Sequence, residues 1–287
     1  MATKPLPANT PLDEVCHAVQ TELDERTIEV PLLPSVAAEV TSSTLDDKAN
    51  AARLAELIQQ DQGLASHLLR VVNSPAFRGA SEIVALQQAL ARLGMERIRE
   101  IALSVSLKST LYKKGPFDSL IEDAWQKGLR TALWGKEVAR MAKKNVEMAY
   151  LCGLLHNVGI SLIVNRLAVI APDLSIDEVR EVSNRLERSA GVLLVEEWRL
   201  PSAVGVCIRF LDNFDDAKNA QDLVAVVQGG LLLAQAQQEI LEEQEQELDT
   251  SNLVAEEVFQ HLNFYPNDLH DLSEFAPQVQ LTIEGMA

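Results

Sequence analysis

The chain is poor in cysteine, aromatic residues and basic charge. Its 287 residues include three cysteines, and aromatics make up 5%. Lys and Arg number 25 against 42 Asp and Glu, for a formal charge of −17 and a pI near 4.7. Cys16, Cys152 and Cys207 are an odd, widely spaced set with no C-x-x-C pair, so they form no secreted disulfide framework. A reducing cytoplasm is the expected setting. The acidic excess repels phosphate backbones, whose nonspecific binding depends on Lys and Arg displacing counterions. Nucleic acid is therefore not an expected partner.

Other absences narrow the chemistry. The N-terminus shows no charged, apolar, small-residue leader pattern, and no run of about twenty apolar residues occurs. The nearest candidate, 223–236, is broken by Gln228, Gly229, Gly230 and Gln235 and reads as a buried helix segment. No membrane association is expected. Neither G-x-G-x-x-G nor G-x-x-x-x-G-K-[ST] is present, which excludes a P-loop for nucleotide hydrolysis. G-x-S-x-G and H-E-x-x-H are also missing. The five histidines are His17, His67, His156, His261 and His270. His261 and His270 straddle a proline-containing loop, and His17 points away from the adjacent Cys16, because i and i+1 diverge on a helix. No cofactor is expected.

Present instead is a mostly aliphatic 47% hydrophobic content, long enough for about two compact units. Strand signals are nearly absent, while Ala, Leu, Glu, Gln and Arg fill the stretches between Pro and Gly. The fold class is all-α. Val15, Val19 and Leu23 share one face of a helix over about 12–27. Ser35 suits the N-cap of a short helix through Val40 and Leu45. Leu54, Leu57 and Ile58 form a stripe, Asp61-Gln62-Gly63 interrupts it, and Leu64, Leu68, Val71 and Val72 resume it until Asn73-Ser74-Pro75. Asp61 can cap the second of these helices. This pair invites comparison with a helix-turn-helix, in which His67, Arg70 and Asn73 would share one face. Only Arg53, Arg70 and Arg78 supply positive charge there.

Gly94 suits a left-handed C-cap between helices over 86–93 and 95–112, the second apolar nearly all round. Lys113-Lys114-Gly115-Pro116 marks an internal boundary. Trp125, Leu129, Leu133, Trp134 and Val138 then follow helical spacing within 117–144, as one helix or a broken pair. A single helix is expected over 147–164. Helix, small-residue join at Ser189-Ala190-Gly191, helix is expected over 175–198, and Pro201 opens the next helix. Residues 221–248 read as one long helix, with Gln and Glu dense over 235–249 as a solvated face. One short helix around Val258 and an irregular tail carrying Pro266 and Pro277 complete the chain.

His156-Asn157 lies within Gly153-Leu154-Leu155-His156-Asn157-Val158-Gly159. His followed by Asp in such a setting marks HD-type metal phosphohydrolases, where imidazole and carboxylate hold a cation that activates water. Here the carboxylate is replaced by a neutral amide, which removes a charged hard-oxygen ligand. Over about Leu32 to Asp212 the chain resembles the HDOD family, HD-related output domains of bacterial signalling. The resemblance is carried by Leu32-Leu33-Pro34, Ile58-Gln59-Gln60-Asp61-Gln62-Gly63-Leu64, Leu68-Leu69-Arg70-Val71-Val72-Asn73-Ser74 and Ala89-Leu90-Ala91-Arg92-Leu93-Gly94. Gly153 to Gly159 and Trp198-Arg199-Leu200-Pro201 complete it.

The resemblance implies a two-lobed helical bundle. Its expected segments are an N-terminal helix (1–30), an N-terminal helical lobe (31–115), an HD-like lobe (116–220) and a C-terminal long helix with tail (221–287). It also implies a noncatalytic signalling module that binds other signalling proteins. The chain departs from the family in two places. Gln126-Lys127-Gly128-Leu129-Arg130 stands where metal-binding HD enzymes carry an upstream His. Ile208-Arg209-Phe210-Leu211-Asp212-Asn213 stands where many members keep a His-His pair. His156 and Asn157 are thus expected as vestiges of a metal site, with no catalytic residues. His67, Arg70, Asn73, Ser74 and Phe77 are the candidate interaction surface. A residual metal-dependent phosphohydrolase and a helix-turn-helix DNA-binding regulator are the alternatives.

Overall fold

The computed structural model describes residues 5–7, 10–42, 47–77, 79, 81–112, 115–243 and 248–286, with the side chains of 42 and 47–52 left aside. All regular elements among them are helical. The chain divides into two compact units, Met1–Pro31 with Leu111–Leu231, and Leu32–Thr110 with Leu232–Ala287.

In chain order the α-helices are α1 (Leu12–Asp24), α2 (Ser35–Ser42), α3 (Asp47–Gln60), α4 (Gln62–Val72), α5 (Leu86–Leu111), α6 (Asp118–Met141) and α7 (Val146–Leu155). They continue with α8 (Gly159–Ile170), α9 (Ile176–Glu197), α10 (Ser202–Phe210), α11 (Gln221–Glu243), α12 (Glu257–His261), α13 (Pro266–Ser273) and α14 (Ala276–Met286). Leu45, Arg78, Lys113, Lys114 and the 244–247 part of the acidic run lie outside the described residues.

The first unit is built on two helix pairs, α6 with α7 and α8 with α9, and α9 also receives α1 and α10. Trp125 and Trp134 are fully enclosed on α6, within the stretch expected to follow helical spacing. The ring of Tyr112 meets Trp125 edge-on, with centroids 5.3 Å apart. α1 is held by burial of Val15, Val19 and Leu23, supported by the fork of Arg166 on Glu22, where Nε donates at 2.6 Å. The exposed pair Arg185–Asp13 (2.7 Å) adds little, since water screens it.

Over 117–144 the choice left open resolves to a single helix, 118–141, and two other expectations for this unit change. The helix expected over 147–164 is two, because the regular helix is interrupted by a turn at His156-Asn157-Val158. The whole stretch Val146–Ile170 is apolar and long enough to cross a membrane by composition, more so than 223–236, but it is folded as this broken pair and mostly buried. The join expected at Ser189-Ala190-Gly191 is absent, and α9 runs unbroken from a capping box in which Ser175 and Glu178 satisfy each other's backbone N–H. Small residues there serve close packing instead. A Cβ placed on Gly159 would lie 1.9 Å from the Glu187 carbonyl oxygen and 2.6 Å from the Gly191 nitrogen.

In the second unit, Leu54, Ile58, Leu64, Leu68, Val71 and Val72 are buried as the stripes require, while Leu57 is half-buried. Asp61 caps α4, accepting the Leu64 N–H at 2.9 Å. Ser35 begins α2 as its first helical residue. Gly94 interrupts α5 with φ 77° and ψ 166°, so the break occurs but in an extended conformation open only to glycine, not as a left-handed helical cap. Past it, Ile98, Ile101, Ala102, Leu103, Val105 and Leu107 are buried.

The C-terminal tail is helical rather than irregular. Pro266 and Pro277 each sit in a first turn, where the missing N–H costs nothing. Val279, Thr282, Ile283 and Met286 form the buried stripe of α14, which packs on α4. Gln237 of α11 ties the start of α14 through its amide, donating to the Ala276 carbonyl at 2.8 Å.

Candidate functional site

Two places carry the residues singled out from the sequence. The first is the turn between α7 and α8. His156 is 5% exposed and Asn157 1%. His156 Nδ1 lies 2.7 Å from the Gly153 carbonyl oxygen, so it carries the proton and Nε2 presents a lone pair. Asn157 donates through Nδ2 to the Ala124 carbonyl of α6 at 2.8 Å. Neither His156 Nε2 nor Asn157 Oδ1 has a partner among the described residues. Gly128 is required beside them: a Cβ there would lie 3.0 Å from both Asn157 Oδ1 and the Leu154 carbonyl oxygen. A side chain at Gly128 would therefore crowd the α7–α8 turn, and Gly128 lies in the stretch 126–130 that has no histidine.

Burial lowers the His156 pKa to about 3; the Gly153 bond opposes that, and Lys127 and Arg188 reinforce it. Burial also raises the pKa of the nearby Glu187, against Lys127 and Arg188 and with Asp212. Arg188 donates to Asp212 Oδ2 at 2.6 Å and to the Ile208 carbonyl. A metal centre would need several converging donors and negative charge. Among the described residues no group of three His, Cys, Asp or Glu could hold an ion, and two cations flank the one imidazole. The residues present do not fit the metal.

The unfolded imidazole takes its proton near pH 6.5, whereas the folded one resists to about pH 3. Between those values the unfolded state binds more protons, so this contribution is complete above pH 6.5 and falls with acidification, by at most about 1.4 kcal/mol per pH unit. Urea unfolding of wild type and His156→Gln should show wild type losing stability relative to the variant from pH 7 to pH 5. A pH-independent gap contradicts a neutral buried ring.

Close by in the same unit, the fold pairs two cysteines distant in sequence. Cys152 of α7 and Cys207 of α10 are free and buried. Their mutual hydrogen bond and burial hold the Cys152 thiol well above its ordinary range, which makes it a poor nucleophile.

The second place is the end of α4. A groove of about 770 Å³ is lined by Ser66, His67, Arg70, Asn73 and Ser74 together with residues of the 75–84 loop and α14. Four of the five candidate surface residues thus share one cavity. Phe77 does not; the Arg97 guanidinium stands 6.0 Å over its ring. Asn73 lines the groove but has no capacity to spare. Its amide donates to the Leu69 carbonyl (2.9 Å) and the Ile83 carbonyl (2.8 Å) and accepts the Ile83 N–H (2.8 Å). Asn73, at which α4 ends as expected, has φ −97° and ψ 0° and clasps the following loop through both directions of hydrogen bonding to Ile83. A helix-turn-helix reader would need that amide free for a base edge.

Leu281, Glu284 and Gly285 of α14 line the opposite wall and were missed from sequence. The spacing of Val279, Thr282, Ile283 and Met286 held the signal, masked by the two prolines.

An all-helical unit whose HD-like turn keeps a neutral His-Asn pair, with no metal cluster among the described residues, defines an HD-related module that departs from the metal-binding pattern. The HDOD domain model matches residues 30–214, and the chain belongs to the HDOD family. An HDOD domain protein of unknown function from Geobacter sulfurreducens has a TM-score of 0.70 at 18% identity, covering 94% of this chain and 99% of that one. A Shewanella amazonensis protein provisionally described as a metal-dependent phosphohydrolase has a TM-score of 0.69 at 18% identity, covering 96% and 99%. An uncharacterized Treponema pallidum protein is 24% identical over 226 residues, which take in 74% of this chain and 43% of that one. The chain thus spans less than half the length of this relative.

Proposed function

We propose that this chain is a noncatalytic regulatory module of bacterial signalling that acts in the cytoplasm by binding other proteins. The observation that carries the reading is the α7–α8 turn. Asn157 stands where HD enzymes carry a carboxylate and spends its amide on Ala124, the stretch 126–130 offers no histidine, and Lys127 and Arg188 supply positive charge near the remaining imidazole. A residual phosphohydrolase would need that position to gather anionic or imidazole donors around a cation. Family membership supports a regulatory role, and the exposed Arg70 on α4 suits a partner surface in an otherwise acidic chain.

The purified full chain should contain only substoichiometric Mn, Fe or Zn by elemental analysis. It should leave a cyclic dinucleotide and p-nitrophenyl phosphate unhydrolysed in the presence of added Mn. Stoichiometric metal together with turnover would overturn the proposal. Affinity purification from the native cell should recover a defined protein that an Arg70→Glu chain fails to retain.

A further inference from the structure

The groove between α4 and α14 holds charges of both signs that do not meet. Arg70 is exposed on the α4 wall and Glu284 on the α14 wall, with Glu82 on the connecting loop. Among the described residues Arg70 makes no ion pair with either carboxylate, so both stand beyond 4 Å, a separation that leaves room for a third molecule. Glu284 has only the amide of Gln280 on its own helix, at 2.9 Å. Apolar surface shares the groove with the charges. Val84 is 67% exposed and Leu281 38% exposed, and both line the same cavity. Exposed aliphatic side chains sharing a groove with separated opposite charges are the complement of a molecule that is apolar in its middle and charged at both ends.

Polar capacity completes the match. Ser66, Arg70 and Ser74 follow each other at four-residue steps along one face of α4 and its end. The His67 ring beside Arg70 is half-buried, and burial, then Arg70 and Lys108, favours its neutral form, which can donate or accept. The volume of about 770 Å³ falls within the range of small-molecule sites.

We propose that this groove binds a small aliphatic zwitterion, with its anionic end on Arg70, its ammonium end between Glu82 and Glu284, and its methylene body on Val84 and Leu281. The anionic group is a carboxylate or a phosphate, the two oxyanions that a guanidinium grips in the same way. Such a site gives the module a chemical input within one compact unit. It goes beyond partner binding and stands whether or not a protein docks on α4.

The test uses the purified full chain and no partner, so its failure is separate from failure of the partner reading. Probes are 4-aminobutyrate, 6-aminohexanoate and phosphoethanolamine, with hexanoate and hexylamine as single-charge controls. The readout is the imidazole carbon–proton correlation spectrum, in which each of the five histidines gives one Cε1–H and one Cδ2–H signal. At least one zwitterion should shift the His67 signal saturably by about 10 mM, and each control should bind about ten-fold more weakly. The carboxylate and phosphate probes distinguish the two anions. Arg70→Ala and Glu284→Gln should each weaken binding about ten-fold. Both side chains are exposed, so the melting temperature should hold. The proposal is overturned if no zwitterion moves His67, if hexanoate or hexylamine binds as well, or if Arg70→Ala binds like wild type.

Discussion

Gly159→Ala should destabilise the first unit by about 4 kcal/mol or more, with the chain failing to accumulate at growth temperature as the extreme outcome. The added Cβ would sit 1.9 Å from the Glu187 carbonyl oxygen and 2.6 Å from the Gly191 nitrogen. Both obstacles are backbone atoms of α9, so no side-chain rotation relieves the overlap. The helices must separate, and separation breaks the contacts of Ile163, Leu167, Leu186 and Leu194, all buried. Gly205→Ala in α10 is the internal control. Its Cβ would meet Val195 Cγ1 at an ordinary 3.6 Å, and replacing a helical glycine should stabilise by about 0.5–1 kcal/mol. Urea denaturation of the three proteins measures the difference. Equal stability of the two variants would mean that α8 and α9 do not cross this closely.

Asn73→Ala should cost about 2–4 kcal/mol in the same measurement. The change removes three hydrogen bonds at once and strands the backbone N–H of Ile83, a residue only 1% exposed. The loop loses both of its hydrogen bonds to Asn73 together with the one that anchors the amide to Leu69, so the penalty exceeds that of one average hydrogen bond. Asn73→Asp separates this role from a surface role. Its carboxylate can still accept from Ile83 but repels the carbonyls of Leu69 and Ile83. The variant should therefore be weak at pH 7 and recover in part on acidification relative to wild type, when the protonated acid can donate. If Asn73 acted mainly on an external partner, Asn73→Ala would keep full stability and lose only binding.

The family motifs are largely motifs of architecture. Asp61 was legible as a cap because an acidic side chain before an apolar run has one obvious use, and the cap forms. Gly94 was legible as a break, although its ψ of 166° could not be read from the residue type. The His156-Asn157 pair was legible as a departure from the His-Asp pattern from the missing carboxylate alone. The break in the helix around that pair was not, since His, Asn and Val carry no stop signal. It is supported by the amide of Asn157 reaching the Ala124 carbonyl, 33 residues away in sequence. Ser189-Ala190-Gly191 misled for a related reason. Small residues weaken a helix locally, yet they also let another helix approach, and in α9 the approach of Gly159 won.

By itself the sequence determined that this protein is helical, acidic, related to HD proteins and short of their metal ligands. Each of those properties is written in residue type and short-range spacing. The tertiary structure decided which distant segments share a core: α1 with α9, Cys152 with Cys207, and the C-terminal α14 with α4 across a groove that joins His67 and Arg70 to Leu281 and Glu284. An amphipathic pattern states that a face must be buried, but not against what. The partner of each face follows from shape and close approach among elements far apart in the chain, and the groove exists only once that choice is made.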